Sequence, residues 1–154
     1  MVTKADFTVD EWKNLVTLPY AVSMAIIAAA PNVMGIWSET KASIEAPPAL
    51  ASAQTSALPG LVTVDAQPQL KELIKEQQHL WKQDMANYRL KVLADCKSAA
   101  AALAKVPADE AMGYKKWVLA VGLKVAEASK EHGVAVSEPE KVALSEISAA
   151  LGIS

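Results

Sequence analysis

Between Pro68 and Leu103 the apolar positions recur in steps of three and four. Leu70, Leu73, Ile74, Gln77, Leu80 and Trp81 start a stripe that runs on through Met85, Tyr88, Val92, Cys96, Ala99 and Leu103. Such spacing follows the turn of an α-helix and not the alternation of a strand. Unbroken over 69–105, the helix would be roughly 55 Å long. A compact domain of this size has a radius of gyration of only about 15 Å. The pattern therefore predicts either a kink near Asp84–Asn87 or a helix that projects and pairs with another chain.

The flanking segments are also helical in period. Thr8-Val9-Asp10-Glu11 reads as a capping box, followed by Trp12, Leu15 and Val16 at helical spacing. Pro19 suits the first turn of a new helix, so a break is expected near Thr17–Pro19, with a helix from 19 to 30. Asn32 or Ser38 is suited to cap a short helix over 38–45. Residues 46–68, APPALASAQTSALPGLVTVDAQP, collect proline and serine without lysine or arginine. They predict a long connection, with a short helix around 49–57. Pro107, Asp109 and Glu110 open another helix, whose apolar face holds Trp117, Val118, Val121, Val125 and Ala128. Gly133 is its expected C-cap. Ser137-Glu138-Pro139-Glu140 is a second capping box, opening a helix that buries Leu144, Ile147 and Leu151 and stops at Gly152.

The expected fold is all-α, one domain of five to seven helices. It divides into a first helical repeat (8–45), the long connection (46–68), a central long or kinked helix (69–105) and a second helical repeat (107–152). Composition agrees. Of 154 residues, 52% are hydrophobic and only 5% aromatic, so alanine, the best helix former, carries much of the apolar content.

Charge and cysteine usage narrow the setting. A net charge of −2 offers no electrostatic footprint for nucleic acid. The single Cys96 rules out an intrachain disulfide and fits a reducing, cytoplasmic compartment. Asn14 to Ser38 carries no charge and is long enough to span a bilayer. Pro19, Pro31, Asn32, Thr17 and Ser23 argue against a span, and Asp6, Asp10 and Glu11 precede it where a signal peptide would be basic. A central helix buried on most faces accounts for the stretch.

The two ends of the chain repeat each other. Asp109-Glu110 stands 99 residues after Asp10-Glu11, and at the same offset Ala120-Val121 meets Ala21-Val22 and Ser137-Glu138 meets Ser38-Glu39. A duplicated helix-loop-helix would make a pseudo-symmetric bundle. The stretch from Pro107-Ala108-Asp109-Glu110 through Gly133-Val134-Ala135-Val136-Ser137-Glu138-Pro139-Glu140 to Ala150-Leu151-Gly152-Ile153-Ser154 resembles a tellurite-resistance TerB-like unit. The resemblance covers the last third of the chain and, more weakly, residues 8–45. It implies an all-helical fold and a link to metal or stress responses and membrane-associated complexes. The chain departs from the pattern where the family has an acidic Asp-Gly loop: His132 precedes Gly133, and the first copy has Asn32 with no matching glycine. The chain is also similar to small helical proteins of bacteria.

Chemistry is sparse. The six glycines stand alone, so no nucleophile elbow or phosphate-binding loop is present. Cys96 falls on an apolar stripe, where a thiol is structural rather than reactive. Zinc needs clustered Cys and His, but the only histidines are His79 and His132. The metal candidates are Glu131, His132, Glu138 and Glu140, crowded around Gly133; capping explains the last two equally well. Trp12, Trp37, Trp81 and Trp117 read as core and interface anchors, with Trp12 and Trp37 as candidates for a partner surface instead.

No cofactor is implied. The expected function is non-enzymatic: a helical module for protein interaction or self-association, with a stress-related setting. Two alternatives stand beside it. One is a small-ligand or metal-binding protein with a pocket lined by Glu39, Glu138 or Glu140. The other is a membrane-associated protein using residues 15–37.

Overall fold

A computed structural model describes residues 2–29, 36–128 and 136–153, the side chains of 36–40 excepted. Among the described residues the chain is all-α, with no strand. Helices α1 (Val9–Ala29), α2 (Ile36–Ala51), α3 (Leu58–Ala66), α4 (Leu70–Gln83), α5 (Met85–Leu103), α6 (Ala108–Glu127) and α7 (Glu138–Leu151) follow one another, with short 3-10 turns at Lys4–Asp6 and Gln67–Gln69.

Helix α1 is the axis of the bundle. It touches each of the other six helices. Leu15, Leu18, Val22 and Ile26 are buried on it, as are Trp12, Tyr20 and Ile27 on its flanks. A helix apolar on most faces belongs in such a position. Its start matches the expected box: Thr8 N–H donates to Glu11 Oε1 at 2.8 Å, and Glu11 N–H to Thr8 Oγ1 at 3.1 Å.

The expected break near Thr17–Pro19 does not occur. Pro19 lies inside one continuous helix. A proline there removes the N–H that would serve the carbonyl four residues back, that of Leu15. The Tyr114 hydroxyl on α6 donates to Leu15 O at 2.6 Å instead. A donor from another helix thus replaces the one that the local sequence lacks.

The expected connection over 46–68 is also corrected. Helix α2 runs on to Ala51 through Pro47 and Pro48, and α3 occupies Leu58–Ala66 rather than 49–57. Only residues 52–57 remain as a non-helical link. Ala46 and Pro47 are buried, and the Trp117 indole donates to Pro47 O at 3.0 Å. Packing on α6 therefore holds the last turn of α2 against the preference of the prolines. The link is pinned too: Ser56 Oγ and Ala57 N–H both donate to Glu110 Oε2, at 2.6 and 3.0 Å. Gly113, one turn along α6, leaves the room that Ser56 occupies.

The long stripe breaks at Asp84. Its side chain accepts from Asn87 N–H at 3.3 Å and from Asn87 Nδ2 at 3.0 Å, capping α5 without any proline. Asp84 itself is non-helical, with φ −152° and ψ 77°. Tyr88, Val92, Cys96, Ala99 and Leu103 stay buried, while Met85 leaves the stripe and is exposed.

At the offset of 99 the burial patterns of α1 and α6 agree. Seven buried positions of α6 (Tyr114, Trp117, Val118, Val121, Gly122, Val125, Ala126) fall, at the offset of 99, on buried positions of α1 (Leu15, Leu18, Pro19, Val22, Ser23, Ile26, Ile27). The second helices do not correspond in this way. Ser137 caps α7, whereas Ser38 lies inside α2, two residues after its first residue, Ile36. Ala143 and Ile147 are buried on α7, but Ile44 and Pro48 at the matching positions of α2 are exposed. The Asn32 cap lies outside the described residues. Helix α6 ends at Glu127, short of the expected stop at Gly133, which also lies outside them.

The last helix has both expected ends. Ser137 N–H donates to Glu140 Oε1 at 3.0 Å, and Glu140 N–H to Ser137 Oγ at 3.3 Å. Gly152 takes φ of 80°, the left-handed stop that an L side chain resists, and Ile153 N–H closes onto Ser148 O at 2.9 Å. Ser137→Ala is expected to cost about 1 kcal/mol. Urea unfolding followed by circular dichroism reads this; an unchanged midpoint would show that the cap contributes nothing.

Candidate functional site

Of the acidic cluster expected around Gly133, Glu138 and Glu140 take part in helix architecture. Glu131 and His132 lie outside the described residues. Glu138 is exposed at the start of α7 and pairs with Lys141 at 3.2 Å. Glu140 is only 2% exposed, and one of its oxygens serves the Ser137 cap. Its other oxygen, Oε2, is buried without a hydrogen-bond partner. Among the described residues no three His, Cys, Asp or Glu side chains come together as a metal site. Glu138 and Glu140 point to different ends, one to solvent and one to the cap, because they sit two residues apart on a helix.

Trp12 is not on a partner surface. It is buried, its indole donates to Asp65 Oδ2 at 2.7 Å, and its ring lies 5.9 Å from that of Phe7. It pins α3 to α1. The side chain of Trp37, like that of Glu39, lies outside the described residues. Among the described residues no helix is long and apolar enough to cross a membrane.

Cys96 is fully buried, and burial, helped by the Asp95 charge, pushes its thiol up to about 12. A nucleophilic cysteine needs the opposite shift and access to solvent. The three tyrosines share its condition. Burial raises Tyr20 to about 12 and raises Tyr114 well above its ordinary value. Tyr88 is raised in the same way by burial, and the Asp95 charge adds to it. A raised pKa means that the fold favours the neutral form. That contribution is complete below the unfolded value of 10.0 and is lost as pH climbs above it. An alkaline titration followed by tyrosinate absorbance is expected to show no ionisation at the ordinary value. All three tyrosines should appear together, in one steep step that coincides with loss of helical circular dichroism. A gradual rise centred at the ordinary value, with the fold intact, would contradict this burial.

Two sites remain after these assignments. The first is a polar interior between α1, α2 and α4. Tyr88 on α5 donates to Gln77 Oε1 at 2.6 Å, and Gln77, Tyr20 and Ser43 line a pocket of about 20 Å³ there. The sequence hinted at it only through Gln77, the one polar member of an otherwise apolar stripe.

The second site is the outer corner where α4 meets α5. Met85 is 63% exposed and Leu90 57% exposed. They edge a cleft of about 390 Å³ whose floor is Ala25, Ala28 and Ala29 of α1 and whose wall includes Trp81. Arg89 stands in the same cleft and pairs with Glu146 of α7 at 3.1 Å. The helical period alone misplaces Met85 in the core, because it carries the phase of α4 across the Asp84 break.

No protein-family model matches this sequence, and no curated protein or solved structure is significantly similar to it.

Proposed function

We propose that this protein is a non-enzymatic helical module that works by self-association, a second copy docking on the α4–α5 corner. The observation that carries the reading is the exposed pair Met85 and Leu90 over an alanine-floored cleft. Adjoining apolar side chains at a concave surface are the kind of feature that marks a docking site. Small residues on the floor let another helix come close.

The rim favours a second copy as the occupant. Arg89 and Glu146 place one positive and one negative charge beside the patch. A twofold interface brings the same surface against itself, and a rim whose Arg89 and Glu146 already neutralise each other sets no like charges against its copy. Buried Cys96, held protonated, supports a structural rather than catalytic role for the only thiol. The cytoplasmic setting expected from that lone cysteine and the stress-related role implied by the TerB-like resemblance belong to the same reading.

Sedimentation velocity over a wide concentration range tests it. The native chain is expected to sediment as a dimer, and Leu90→Glu as a folded monomer. A native chain that stays monomeric at every concentration would remove the proposal, as would a dimer indifferent to both Met85→Glu and Leu90→Glu.

A further inference from the structure

Among the described residues the fold leaves two interior hydroxyls unanswered, those of Thr17 and Tyr20, and only Tyr20 lines a pocket of the size of a water. Tyr20 is 3% exposed, and its hydroxyl meets no hydrogen-bond partner in the protein. Its neighbours on the same helix offer nothing: Ser23 Oγ is already turned back to Pro19 O at 2.7 Å. Yet Tyr20 is one wall of the small pocket, and the facing walls are polar as well as apolar. Ser43 comes from α2, Gln77 and Gln78 from α4. Gln77 is itself buried, and its carbonyl oxygen is occupied by the Tyr88 hydroxyl. What it has left for the pocket is its amide nitrogen, which only donates.

The size of the space selects the ligand. One water needs about 10–15 Å³ of such volume. The pocket has about 20 Å³, enough for one molecule of that size and too little for a metabolite. Wholly apolar cavities of proteins stay dry, whereas a water becomes fixed where two to four polar partners surround it. Here a phenol hydroxyl that both donates and accepts, a primary amide and a serine hydroxyl come from three different helices. Met24, Ile27 and Ile74 close the rest of the wall.

We propose that this pocket is the seat of one internal water molecule, which bridges the Tyr20 hydroxyl of α1 to the Gln77 amide of α4 beside Ser43 of α2. The water accepts from the amide and exchanges a hydrogen bond with the phenol. It thereby extends the Tyr88–Gln77 bond into a chain that joins α5, α4 and α1. Helix α4 is otherwise a mostly polar helix with Leu73 and Gln77 as its buried residues, so this chain is a substantial part of what seats it. The proposal is independent of the self-association reading, since the pocket lies between α1, α2 and α4 and shares no residue with the cleft at the α4–α5 corner.

Water-proton and oxygen-17 relaxation dispersion counts long-lived internal waters in solution, and a high-resolution crystal structure locates them. The native protein is expected to show one such water within hydrogen-bond distance of Tyr20 Oη. Tyr20→Phe, folded as judged by circular dichroism, is expected to lose that water and keep the others. Native crystals with no water at this position would overturn the proposal, and so would a water retained unchanged in Tyr20→Phe. Should Tyr20→Phe fail to fold, the native density and the Ser43→Ala variant decide. That variant should keep a water on Tyr20 and Gln77 but shorten its residence time.

Discussion

Trp117→Ala is expected to destabilise the protein by about 3–5 kcal/mol, the range for deleting a large aromatic from a packed core. Among the described residues Trp117 is the largest side chain that is completely buried. It stands on α6, packs at 5.6 Å against the ring of Tyr114, and donates its indole N–H to Pro47 O on α2 at 3.0 Å. One residue therefore fills the core, holds two helices together and steadies the proline-bearing end of α2. The surroundings cannot collapse into the space, because helices meet it on both sides. Domains of this size are stable by about 5–15 kcal/mol in total, so the variant is expected to lose roughly a fifth or more of that. Its melting temperature should fall by roughly 6–20 °C. Thermal unfolding followed by circular dichroism measures it. Trp117→Phe, which keeps a ring but not the N–H, should lose distinctly less. A drop of only a degree or two for Trp117→Ala would mean that α2 and α6 do not meet through this side chain.

Tyr114→Phe carries the second large effect, about 1–3 kcal/mol for leaving a buried carbonyl unpartnered. The change removes one oxygen atom, so packing stays almost constant and the loss reports the hydrogen bond to Leu15 O. The diagnostic is its dependence on Pro19. In Pro19→Ala the residue at 19 regains an N–H, and the helix can serve Leu15 by itself. Tyr114→Phe should then cost much less, with a coupling of about 1 kcal/mol between the two sites in a double-mutant cycle. Equal cost in both backgrounds would show that Tyr114 does not stand in for the missing amide.

Much of this fold was legible in the sequence wherever the cause is local. The boxes Thr8–Glu11 and Ser137–Glu140 form as read, since each needs only residues within one turn. Gly152 ends α7 because its own backbone tolerates the left-handed angle. The break between α4 and α5 falls within the stretch expected for it, although the agent is an Asp84 cap and not a proline. The candidate sites were less legible. Trp12 was open to a core or a partner-surface reading because nothing near it in the chain reveals Asp65, which holds its indole from α3. Leu90 drew no notice, since exposure on a helix depends on which neighbours arrive. The pocket at Tyr20 needed three helices to exist at all.

The sequence by itself determined that this chain is helical, where several helices start and stop, and which faces are apolar. Periodicity, capping and glycine conformation act over a few residues, and no partner element is required for them. Only the tertiary structure decided that α1 passes through Pro19, that α2 passes through Pro47 and Pro48, and that Met85 faces outward. Local rules judge a proline by the hydrogen bond it deletes. They have no knowledge of Tyr114, 99 residues beyond Leu15, whose hydroxyl replaces the missing donor.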